Sequence, residues 1–282
     1  MYHLTNVLAD DGRWDDLLAF AADPAGAAGE RRHVAHVVAL EAPPPFAVAA
    51  AELFPDGRGH IGPLWDVVAS RNEWCALAPH LSDPGVRRLV AQTRVLRGED
   101  LSAEDADDAD PPLRLREWEA ARWDPERDMW SYDRNGCTGA TMWAFPGPLV
   151  PPSVSPATGR PPVEHAAVAL LDGLSPVVRA HAVRGPVRRG TTAWFADAYP
   201  HLVQVATGER AAGRGTGHAL ARIALWRALA ASAGARDAVD AFVERLRCVT
   251  WRRPEDVMYH LRLVLEDPTT GIAFVLTGTD RD

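Results

Sequence analysis

Residues 257–278 read VMYHLRLVLEDPTTGIAFVLTG. Two apolar runs flank Asp267-Pro268-Thr269-Thr270-Gly271, a segment whose composition marks a turn. In the first run Tyr259, Leu261, Leu263 and Leu265 alternate with Met258, His260, Arg262 and Val264. That is the period-two pattern of a strand with one face buried. With Leu246–Trp251 just upstream, three β-like runs close the chain. Working back toward the N-terminus, His218–Ala233 carries Leu220, Ile223, Ala224 and Trp226–Leu229, a strong helix, with a further helical turn at Ala235–Val243. Thr192–Ala206 reads as helix interrupted near Pro200. Val163–Leu171 and Val177–Val183 read as strands joined by a five-residue loop, and Leu113, Leu115 and Trp118 as another strand.

The first hundred residues have a different period. Trp14, Leu17, Leu18 and Ala21 recur at helical spacing. Arg31–Glu41 places Val34, Val37 and Val38 on one face before the prolines at 43–45. Phe46–Leu53 is a short apolar segment, and Leu64, Val67, Val68, Trp74 and Leu77 continue the stripe with a break near Asn72. Ser82-Asp83-Pro84-Gly85 then opens a helix through Leu96. The expected fold is α+β: a helical N-terminal half, a bundle or helix-pair domain over 1–101, packed on a C-terminal half with a mostly antiparallel sheet and flanking helices over 113–282. Between them, 102–112 carries Glu104, Asp105, Asp107, Asp108 and Asp110 and reads as a solvated acidic linker. Residues 145–162 hold seven prolines and read as an ordered loop or lid.

All 30 basic residues are arginine, against 38 Asp and Glu, for a net charge of -8. The absence of lysine excludes mechanisms that need an amine side chain, such as a Schiff base or a P-loop lysine. It fits the codon bias of a GC-rich genome. The acidic balance disfavours a nucleic-acid partner, although Arg179, Arg184, Arg188 and Arg189 could form a local arginine face. Cys75, Cys137 and Cys248 have neither disulfide-framework nor zinc spacing. The N-terminus lacks a signal-peptide pattern, and no run approaches the ~18 apolar residues of a membrane span. We therefore expect a cytoplasmic protein with no membrane partner.

Chemistry concentrates in one segment. Trp118, Trp123, Trp130, Tyr132 and Trp143 interleave with Glu117, Glu119, Asp124 and Asp128. Ring faces and carboxylates could hold a cationic or sugar-like ligand, and the four acids are candidate catalytic acid/base groups. Arg210 and Arg214 could hold an anionic portion of the ligand. The segment Arg210-Ala-Ala-Gly213-Arg214-Gly215 before a helix also resembles the pyrophosphate loop of GCN5-related N-acetyltransferases, which would imply acyl-CoA. His33 and His36 stand three apart on a predicted helix without a third metal ligand, so neither a metal nor a cofactor is indicated. Cys137, in Asn135-Gly136-Cys137-Thr138-Gly139, reads as a loop thiol.

The Gly-rich segment into Ala221-Arg222-Ile223-Ala224-Leu225-Trp226-Arg227-Ala228-Leu229, then Thr250-Trp251 and the terminal Ala273–Asp282, resembles an actinobacterial family of hypothetical proteins with a domain of unknown function. The resemblance lies mainly in 205–282. It implies a bacterial, soluble, complete chain and carries no activity. Three functions are expected in order: a small-molecule enzyme or ligand-binding protein with a Trp- and carboxylate-lined pocket, a protein-interaction module built on the helical half, and an acyl-CoA-dependent N-acyltransferase. Whether the chain is an enzyme is left open by its motifs.

Overall fold

The computed structural model describes residues 2–54, 63–104, 110–138, 148–149, 157, 159–187, 191–208, 215–254, 256 and 259–280. The fold is α+β with a helical N-terminal half. It divides into two compact units, one comprising Met1–Arg114, Pro125–Ala140 and Gly213–Ala219, the other Leu115–Asp124, Thr141–Ala212 and Leu220–Asp282.

The first unit contains α1 (Tyr2–Asp10), α2 (Trp14–Ala22), α3 (Ala28–Glu41), α4 (Pro44–Leu53), α5 (Leu64–Arg71), α6 (Trp74–Leu77) and α7 (Pro84–Leu96). The stripes in the sequence locate α2 to α7, while α1 carries no expected counterpart. Helix α3 is the centre: α1, α2, α4 and α5 pack on it, and every residue from His33 to Leu40 is buried. A helix surrounded this way needs apolar or small residues on all faces rather than one stripe. Asp83 caps α7 by accepting from the Val86 N–H at 2.8 Å, with Pro84 at the first helical position. The short α8 (Glu117–Ala120) belongs to the second unit. The first unit resumes with α9 (Pro125–Asp128) and the hairpin β1 (Ser131–Asp133) and β2 (Gly136–Thr138).

In the second unit follow β3 (Pro162–Val163), α10 (Ala167–Asp172), β4 (Val178–Arg184), β5 (Thr191–Ala193) and α11 (Phe195–Ala206). After them come α12 (His218–Ala233), α13 (Val239–Arg245), β6 (Arg247–Thr250), β7 (Tyr259–Asp267) and β8 (Ile272–Asp280). The sheet order is β3-β4-β8-β7-β6-β5, antiparallel at every pairing. One row of register partners runs Val163, Ala182, Phe274, Leu265, Cys248, Ala193 across all six strands. Helix α10 packs on β4 and β8, and α11 on β6. The other face carries Val183, Val249, Val264, Ala273 and Val275 against Ala157, Val187 and Trp251.

Four expectations change. Thr192–Ala206 is helix only from Phe195, because Thr191–Ala193 forms β5. Strand β7 is buried from His260 to Asp267 on both faces, so its alternation marks register and not exposure. Arg262 survives inside because Asp256 Oδ1 at 2.8 Å and the Gly278 carbonyl at 3.2 Å accept from it. Val163–Leu171 is a strand only at Val163, because the Ala-rich remainder forms α10. The Leu113–Trp118 segment is no strand, as Trp118 lies in α8. There the Glu119 carboxylate folds back on the Arg116 N–H at 3.0 Å. The acidic residues 105–109 and most of the proline-rich segment 145–162 lie outside the described residues.

Candidate functional site

In each unit a buried carboxylate gathers polar side chains around it. In the second unit the centre is Glu119, at 0% exposure. Its Oε1 accepts from Tyr199 Oη at 2.6 Å, Arg222 Nε at 2.8 Å and Trp226 Nε1 at 3.0 Å. Its Oε2 accepts from Arg222 Nη2 at 2.7 Å and the Arg116 N–H at 3.0 Å. Arg222 and Trp226 reach it together because they are four apart on α12. Burial alone would raise the Glu119 pKa, but the Arg222 charge and these donors hold it below the ordinary carboxylate range. Burial and the Glu119 charge push the Tyr199 hydroxyl well above its ordinary value. Five donors occupy the roughly four lone-pair positions of a carboxylate, so no acceptor capacity remains for a substrate.

Trp118 packs over this centre. Its ring lies 5.5 Å from Phe195, 5.3 Å from Tyr199 and 5.4 Å from Trp226, and its Nε1 donates to Asp240 Oδ1 at 2.9 Å. Trp123 meets Tyr199 at 5.9 Å. Glu117 and Asp124 are exposed. Within the expected acid/base set, then, only Glu119 enters this aromatic cluster.

Asp128, Trp130 and Tyr132 belong to the first unit. Asp128 is buried and accepts from Arg127 Nε at 2.9 Å and Nη2 at 2.7 Å. Trp143, Arg210 and Arg214 lie outside the described residues. Among the described residues, Trp118 and Trp123 thus belong to one unit and Trp130 and Tyr132 to the other.

The first unit's centre is Asp66, on α5 within the buried run Leu64–Ala69. Thr93 Oγ1 donates to its Oδ1 at 2.6 Å. The His218 backbone N–H donates to Oδ2 at 3.2 Å, and Tyr132 Oη reaches Oδ2 at 3.5 Å. His218 Nδ1 also stands 3.5 Å from Oδ2, with both side chains almost wholly buried. Among the described residues neither His218 ring nitrogen has a hydrogen-bond partner. Its ring packs edge-to-face with Trp130, the centroids 4.8 Å apart. Gly217 permits this approach: at φ +96° a Cβ would stand 2.6 Å from Pro63 Cγ and 3.0 Å from Asp66 Oδ2.

Burial alone would raise the Asp66 pKa, but His218, the Thr93 hydroxyl and the backbone N–H hold it below the ordinary range. Tyr132 is pushed well above its ordinary value by burial and then by the Asp66 charge. Arg97 donates through Nη2 to the Trp130 carbonyl at 3.2 Å, while its Nε has no partner among the described residues. Cys137, expected in a loop, is buried in β2 as the register partner of Tyr132, which puts both side chains on one face of the hairpin. His36, considered with His33 as a metal pair, instead donates from Nε2 to the Asp133 carbonyl at 2.7 Å. No group of three metal-ligating side chains occurs among the described residues.

Asp66, Thr93 and His218 escaped the sequence reading. Asp66 sits in an apolar helical stripe and looks like an interruption of it. His218 follows Gly217 at a helix start, a weak local sign that carries no pointer to a residue 152 positions away. Helix α11 stands upstream of the Gly-rich loop where the acetyltransferase fold requires a strand. No helix among the described residues is long and apolar enough to cross a membrane. Comparisons with protein-family models, curated proteins and solved structures found no match.

Proposed function

We propose that the chain is a small-molecule enzyme of the general acid–base class, with Asp66 and His218 as its working pair. The observation that carries this is His218: a wholly buried imidazole beside a buried carboxylate, with both ring nitrogens unspent among the described residues. Buried polar atoms without partners cost free energy and call for an explanation. An imidazole is the side chain best suited to move protons near neutral pH. Asp66 has the oxygen that faces Nδ1, and would orient the ring while His218 Nε2 exchanges a proton with the substrate. Tyr132, kept protonated, can donate through its hydroxyl. Arg97, with an unspent Nε, favours a substrate bearing a negative charge.

His218 is enclosed in this conformation, so substrate access requires local opening of the unit. Turnover of a panel of small anionic metabolites by wild type and by His218→Gln, followed by mass spectrometry, tests the assignment. At least one compound should be consumed by wild type and spared by the variant at an unchanged denaturation midpoint. If no compound is consumed, or if the variant consumes the same ones equally fast, His218 serves the fold and the assignment fails.

A further inference from the structure

Helices α5 and α7 of the first unit pack on each other, and an arginine closes each. Arg71 is the last residue of α5, and Arg97 follows Leu96 at the end of α7. Arg94, in the last turn of α7, ties the two ends together by donating through Nη1 to the Ala69 carbonyl at 2.6 Å. It also has a counter-charge, with Glu99 Oε1 2.5 Å from its Nη2. Arg71 and Arg97 have no such carboxylate among the described residues. Each guanidinium reaches one backbone carbonyl there: Arg71 Nη2 donates to Tyr132 at 3.4 Å and Arg97 Nη2 to Trp130 at 3.2 Å.

Those two carbonyls set the spacing of the cations. Trp130 immediately precedes β1 and Tyr132 is its middle residue, so along an extended chain the carbonyls face the same way, roughly 7 Å apart. Burial lowers the Arg97 pKa; Asp66 and Tyr132 oppose that shift, and the Arg94 and Arg71 charges add to it. Arg97 therefore feels both neighbouring arginines. Asp66 supplies no direct partner, because Thr93 and the His218 N–H engage its oxygens. Arg97 is half-buried, with its Nε enclosed and unpartnered, while Arg71 is exposed, so the pair opens to solvent at one end. A partly buried guanidinium without a counter-charge is costly, and here it stands beside a second one in a chain with 38 acids to choose from. Two cations that no side chain neutralises point to an anion from outside the chain.

We propose that Arg71 and Arg97 together bind the phosphate group of a phosphate monoester. A carboxylate has one charge and two oxygens in a plane, which a single guanidinium fork satisfies. A phosphate monoester near neutral pH has three terminal oxygens and nearly two charges, and can accept from both arginines at once. Arg97 lies one turn beyond Thr93, which holds Asp66. The role of the monoester as substrate rests on the reading of Asp66 and His218; its binding does not.

The test is calorimetric titration of the full-length protein, in phosphate-free buffer, with phenyl phosphate and with benzoate at matched ionic strength. Phenyl phosphate should bind saturably at one site, at least tenfold more tightly than benzoate. Its Kd should rise at least tenfold in Arg97→Gln and in Arg71→Gln, an exposed position where the fold loses only a long hydrogen bond. Arg184→Gln, which removes the same charge from an exposed position on β4, should bind as wild type does. No saturable binding, equal affinity for benzoate, an unchanged Kd in Arg71→Gln, or an equal loss in Arg184→Gln would each overturn the proposal. Saturable binding of phenyl phosphate without turnover of any phosphate monoester would sink the acid–base reading and leave the phosphate site standing.

Discussion

Glu119 and Asp66 are both buried carboxylates held below their ordinary pKa, yet their surroundings differ in kind. Glu119, on α8, is enclosed by five donors from α11, α12 and the Arg116 backbone. Asp66 has strong donors in Thr93 and the His218 N–H, a distant Tyr132, and an imidazole beside it that completes no hydrogen bond. A saturated centre holds elements together and has nothing left for a ligand. An incomplete one costs stability that a fold alone does not require, and polar groups left short in this way are the ones available for chemistry.

The sharpest break of this contrast is at Glu119. Glu119→Gln should destabilise the protein by about 3–5 kcal/mol in urea unfolding, because Arg222 is left buried without its counter-charge. A loss under ~1 kcal/mol would show that the five donors find other partners. Next in size, Gly217→Ala should cost about 2–4 kcal/mol, since a Cβ is disfavoured at positive φ and meets Pro63 and Asp66. A neutral result there would mean that the approach of Gly217 to Asp66 is not tight.

A smaller effect concerns pH. Burial lowers the His36 pKa from 6.5 despite the Asp133 carbonyl and the nearby Asp133 and Glu41 charges. The unfolded chain therefore binds this proton more readily than the folded one, so its stability contribution is full above 6.5 and falls as pH drops below it. Asp66 and Glu119 add a separate loss only as pH falls below the ordinary carboxylate values of 3.8 and 4.5. Unfolding midpoints between pH 7 and 5.5 should decline for wild type, by at most about 1.4 kcal/mol per pH unit from one group. The decline should be shallower in His36→Gln. Equal slopes would assign the effect to another histidine.

The sequence made the fold legible wherever burial is one-sided or a turn is chemically marked. Helix α12 and the β7–β8 turn are where their residues indicate, and Asp267 accepts from the Thr269 N–H at 2.9 Å as a turn aspartate does. It misled at Val163–Leu171, where a short apolar run has no period to distinguish strand from helix. For the site, Glu119 was visible as a carboxylate among tryptophans, but its engagement by Tyr199 and Arg222, 80 and 103 residues away, was not. Asp66 was hidden for a similar reason: inside an apolar helix, a residue whose partners lie far along the chain looks like an exception to the pattern.

The most direct test of the central claim compares His218→Met with Glu119→Gln in the same urea unfolding experiment. If His218 is retained for proton transfer, replacing its imidazole with an apolar side chain should cost far less than Glu119→Gln, because only the 3.5 Å contact with Asp66 is lost while Thr93 and the residue-218 N–H still donate to the carboxylate. The Glu119→Gln loss should exceed it severalfold. A His218→Met loss as large as that of Glu119→Gln would make Asp66–His218 a structural ion pair and contradict the account.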